Sequence, residues 1–143
     1  MIQSIEDLVV PGRILRLFCS FTSPPKEKYV VIVATNPFHL GFLINSNPTG
    51  LQKSKKHLLD ELIRVSSGDG YDFLTNREPS VLDCTFAADL DLAETLAQIA
   101  QDASRVRGLI SDSTRVKIIS VVEKSMTLEG GIAKIIVKNL ITS

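Results

Sequence analysis

At roughly 150 residues per domain, a chain of 143 residues is expected to form a single domain over residues 1–143. Its 44% hydrophobic and 22% charged composition supports a real core, which excludes disordered, collagen-like and disulfide-scaffold classes. Sixteen Lys plus Arg balance sixteen Asp plus Glu, and no apolar run approaches the roughly 18 residues of a bilayer span.

The first half reads as strands. VVPGRILRLF, KYVVIVAT and LGFLINS are short, rich in Val, Ile, Leu and Phe, and separated by Pro, Gly, Ser or Asn. Pro11-Gly12 marks the start of the first, in which Ile14, Arg16 and Phe18 share one side and Leu15 and Leu17 the other. Tyr29 to Thr35 is almost continuously apolar, as expected of a central strand covered on both faces. Between them, Thr22 to Glu27 carries two prolines that oppose a helix and favour an extended loop. The stretch 55–66 stays open: Leu58, Leu62 and Val65 keep helical spacing, while ELIRVS suits a strand equally well. YDFLT and SVLDCTF form two further apolar segments, separated by Asn76 to Pro79.

The second half changes period. From Asp91, the residues Leu92, Leu96, Ile99 and Ala103 recur at helical steps, with Asp91-x-x-Glu94 as a capping pattern. Asp112 to Met126 and Gly131 to Leu140 are two more helix candidates, although RVKIISVV is also compatible with a strand. The expected class is α+β: a small sheet or barrel of about five or six strands, mainly within 8–86, followed by helices mainly within 89–141.

Charge is polarised along this neutral chain. Residues 13–56 hold seven bases against Glu27 alone; from 57 to 102 ten acids oppose Arg64 and Arg77; from 103 onward seven bases oppose three acids. Such segregation can build a basic surface, and a fold that interleaves the segments can equally cancel it.

Neither His39 nor His57 belongs to a metal-ligand pattern, and the GxSxG, GxGxxG and GxxxxGK[ST] motifs are missing, so no metal or cofactor is expected. Cys19 and Cys84 lack CxxC spacing and read as reduced, buried thiols. The acidic N-terminal MIQSIEDLVV is unlike a secretory signal, and a cytoplasmic location off the membrane is expected.

One polar and basic constellation remains. Arg13, Arg16, Lys26 and Lys28 flank the first two strands, Asn45-Ser46-Asn47-Pro48-Thr49-Gly50 ends the third, and Lys53 follows. Cations beside hydroxyls and amides suit phosphate, and metal-free RNA cleavage needs that kind of charge compensation. The same NSNPTG string is also what a plain turn requires. Phe38, Phe42, Tyr71 and Phe73 can stack on unpaired bases where exposed, though a core position is the usual fate of such rings.

The order PGRILRLF, SPPKEKYVVIVAT, LGFLINS, then SVLDCTF and RVRGLISDSTRVKIISVVEKSM, resembles the MazF/PemK-type toxins over most of the chain. The resemblance implies an SH3-like β-barrel with C-terminal helices and a homodimeric endoribonuclease acting on single-stranded RNA under restraint by an antitoxin. Carried over by position, it makes Lys28 and Ser46 the catalytic residues, with Arg13, Arg16, Lys26, Asn45, Thr49 and Lys53 on the RNA. Lys28 stands where the family carries arginine, and Tyr29 where proline is frequent. The alternative is a non-catalytic interaction module or regulator on the same scaffold.

Overall fold

The computed structural model describes residues 4–46, 50–75 and 80–143. Six strands form one antiparallel half-barrel: β1 (Arg13–Cys19), β2 (Lys26–Ala34), β3 (Leu40–Asn45), β4 (Leu62–Val65), β5 (Ser80–Asp89) and β6 (Val106–Leu109). Their order across the sheet is β4-β5-β3-β2-β1-β6. Two short helices, α1 (Gly50–Ser54) and α2 (Lys56–Leu59), lie between β3 and β4. Three longer ones are α3 (Leu92–Gln101), α4 (Asp112–Glu123) and α5 (Gly130–Thr142). The α+β arrangement of a small barrel-like sheet with helices behind it is the one expected from the sequence.

β2 earns its central place by composition. Val30 to Ala34 are all at most 1% exposed, because alternate side chains feed two different cores. Val31 and Val33 join Ile14, Phe42 and Leu82 beneath Ile118 and Val122 of α4 and Ile136 and Leu140 of α5. Val30 and Ile32 join Leu15, Leu17 and Cys19 beneath Ile99 of α3. Each fully buried aliphatic side chain contributes roughly 1.5–3 kcal/mol, so both helical layers are held mainly by burial.

Local signals fix where these elements begin. Asp91 caps α3 by accepting from Glu94 N at 3.0 Å, and Ser111 caps α4 by accepting from Thr114 N at 3.1 Å. Gly12 has φ +93°, donates its N–H to Ile32 O at 2.7 Å and accepts from Ile110 N at 2.8 Å. A side chain there would be strained and would meet the Arg115 guanidinium at 2.7 Å.

The open stretch 55–66 contains both alternatives in sequence, α2 and then β4. YDFLT is not a strand: Leu74 N closes a turn onto Tyr71 O at 2.9 Å, and the rings of Tyr71 and Phe73 pack instead. The break at Asn76 to Pro79 lies outside the described residues. RVKIISVV is helical, since Thr114, Ile118 and Val122 make one buried row behind a strong N-cap. β6 falls among the helices and pairs with β1 at the sheet edge. No helix among the described residues is long and apolar enough to cross a membrane.

Candidate functional site

The β1–β2 hairpin sets Lys26 opposite Cys19 and Lys28 opposite Leu17, near the end of β2 that begins the strand. β3 runs back beside it, with Ile44 opposite Tyr29, so Asn45 and Ser46 emerge next to the two lysines. A concavity of about 310 Å³ opens here, and Lys26, Lys28, Asn45, Ser46, Tyr29 and Phe73 are among the residues that line it. Lys28 Nζ donates to Asn45 Oδ1 at 2.5 Å, which fixes the ammonium while leaving two of its three donors for another acceptor. Tyr29 and Phe73 meet at 4.7 Å between ring centroids, tilted by 45°, and give the concavity an aromatic wall.

Burial, and secondarily the positive Lys26, lowers the Lys28 pKa from its ordinary value. Lys26 itself is exposed. The carboxylate in the lining, Glu27, is held by Arg105 through two hydrogen bonds of 2.8 Å, and these push its pKa down. Glu27 is therefore a poor proton acceptor, and its charge is already spoken for.

The remaining predicted residues are not brought to this concavity. Arg13 sits four residues before Leu17 on β1, about 13 Å along the strand, where its Nε donates to Leu8 O at 2.9 Å. Arg16 reaches Asp102 at 3.4 Å, and its Nε has no partner. Lys53 is exposed on α1 and does not line the concavity, and Thr49 lies outside the described residues. Interleaving of the charged segments explains the loss: Arg16 meets an acid from the middle of the chain, and Glu27 meets a base from its last third.

Of the four rings considered from sequence, Phe42 and Tyr71 are core, Phe38 is exposed away from the lining, and Phe73 alone belongs to it. Tyr29 was readable only as a strand residue; its pairing with Phe73 requires the turn at 71–74, which depends on long-range packing. Gln52 of α1 donates to Asp83 at 2.9 Å, and Asp83 also accepts from Thr85 Oγ1 at 2.5 Å, so β5 and α1 are joined. Both cysteines are buried free thiols. Burial pushes Cys19 up to about 11 and raises Cys84 further, which suits packing rather than nucleophilic chemistry.

No protein-family model matches this chain, and no curated protein or solved structure matches it either.

Proposed function

We propose that the chain is a toxin-like, metal-independent endoribonuclease that takes single-stranded RNA into the concavity between β2 and β3. The observation that carries this reading is the convergence of Lys26, Lys28, Asn45 and Ser46 on one aromatic-walled recess. Lys26 and Lys28 offset charge on the non-bridging oxygens, and Lys28 stabilises the phosphorane. Asn45 orients the Lys28 ammonium, and the Ser46 hydroxyl orients the scissile phosphate. The half-buried rings of Tyr29 and Phe73 line the recess and offer it an aromatic surface for a base. With Glu27 held by Arg105, Lys28 acts as the cation and the 2′-hydroxyl proton leaves to solvent water. The SH3-like barrel, the homodimer and the antitoxin partner follow from the family resemblance, and the cytoplasmic site of action from the acidic N-terminal segment.

The test is incubation of the purified protein with fluorescently labelled single-stranded RNA in chelator. Cleavage leaving a 2′,3′-cyclic phosphate is expected, with Lys28→Ala slower by roughly 10²–10⁴-fold. RNA left intact by a large excess of wild-type protein sinks the nuclease.

One observation favours a second reading, a non-catalytic interaction module. Arg16, Arg105 and Glu27 are consumed in ion pairs, and Lys28 is already bonded to Asn45. This reading expects a stable protein partner whose capture is indifferent to Ser46→Ala.

A further inference from the structure

Helix α5 carries more apolar surface than its packing needs. One row, Ile132, Ile136 and Leu140, turns into the core; the last two are at most 1% exposed. A second row at four-residue steps, Ala133, Val137 and Ile141, lies about 100° round the helix and lines a surface groove; Ala133 and Val137 are half-buried against the core, and Ile141 is 63% exposed. The outer side of a helix on a globular protein is ordinarily polar. Here Val122 of α4 and Leu128 of the α4–α5 turn form the facing wall, and the two walls enclose a groove of about 610 Å³, against about 310 Å³ for the lysine recess. Met126, 83% exposed, follows α4 on the same turn.

Charge selects the occupant. Lys134 and Lys138 stand one turn apart on the rim, and Glu123 is the one acid among the lining residues. The rim is thus net positive, and two copies joined through this groove would set lysines against lysines. Two basic groups one turn apart beside an apolar row at helical spacing are matched by a helix with the opposite pattern.

We propose that this groove is a docking site for an acidic amphipathic helix of another protein, with aliphatic residues on one face and Asp or Glu along its border. The inference is independent of the RNA reading, since the groove shares no lining residue with the lysine recess.

The test uses the full chain and two fluorescein-labelled helical peptides, each with leucine at the i, i+3, i+4 and i+7 positions. One carries glutamate at the flanking positions and the other lysine. By fluorescence anisotropy the acidic peptide is expected to bind at least about fivefold tighter. The double variant Lys134→Glu/Lys138→Glu reverses the preference, and Ile141→Asn weakens the acidic peptide about tenfold. Because Ile141 is exposed, an unchanged thermal melt is expected for that variant. Equal affinity for the two peptides, or no saturable binding of the acidic one, overturns the proposal. So does a dimer seen by sedimentation and lost in Ile141→Asn, which assigns the groove to a second copy. Cosedimentation with phosphatidylglycerol vesicles that is lost in the same variant overturns it in favour of a membrane surface.

Discussion

Glu61 offers a sharp test of how the helical layer is tied to the sheet. It is 5% exposed, precedes β4 by one residue, and aims its carboxylate at the turn joining α4 to α5. There it accepts from Ser125 Oγ at 2.5 Å, Thr127 Oγ1 at 2.8 Å and Met126 N at 3.2 Å. Hydrogen bonds to a charged group contribute roughly 1.5–3 kcal/mol each, and such neighbours are less than additive. Ser125 Oγ keeps its own acceptor role toward Thr127 N and Leu128 N, which preserves part of the turn. Glu61→Ala should therefore cost about 3 kcal/mol, and Glu61→Gln, whose amide oxygen still accepts, about half that. With an unfolding entropy of roughly 2.1 cal/mol/K per residue, a 143-residue chain loses about 10 °C in Tm for 3 kcal/mol. Urea melts read at two wavelengths and a calorimetric scan would measure both variants. A loss below about 1 kcal/mol for Glu61→Ala would refute the claim that this carboxylate clamps the turn.

Four further expectations follow from particular contacts. A Cβ on Gly41 would lie 2.4 Å from Val30 Cγ1 within the core, so Gly41→Ala should destabilise by about 2 kcal/mol in a urea melt, and a neutral result would contradict the packing described. If the recess holds single-stranded RNA, Lys26→Ala and Lys28→Ala should each flatten the slope of log affinity against log salt by about 0.7. The folded Lys28 pKa is lowered by burial, so its share of the affinity falls away, as pH rises, at a lower pH than an ordinary lysine would allow; a titration of the Lys26→Ala variant reads that midpoint. Both thiols, raised by burial, should resist a disulfide reagent at pH 8 in the native protein and react rapidly in denaturant. Rapid labelling of the native protein would place them elsewhere than the two cores.

The elements legible in the sequence are those whose signal is local. Tyr29 to Thr35 reads as a central strand because both faces need apolar side chains, and the Asp91 cap announces α3 before any tertiary contact exists. The 55–66 stretch resisted assignment because it holds one turn of helix and one short strand, each too brief for periodicity to separate. Tyr71 and Phe73 belong to an apolar segment whose composition alone does not place them. Their positions are set instead by partners far along the chain: Tyr71 Oη lies 2.7 Å from Thr114 Oγ1, and Phe73 packs on Tyr29. The candidate site was half legible for the same reason. Lys26 and Lys28 are neighbours on one strand, and register alone brings Asn45 and Ser46 beside them. Arg13 and Arg16 share β1 with residues opposite those lysines, but Leu8 and Asp102 claim them, and no local pattern records those partners.

The most direct measurement is a backbone amide shift map of the protein titrated with oligouridylate in chelator. Saturable changes confined to residues 26–29, 44–46 and 73–75, and lost in Lys28→Ala, are predicted. Shifts centred on the α4–α5 groove, or none at millimolar RNA, would contradict the placement of a polynucleotide between β2 and β3.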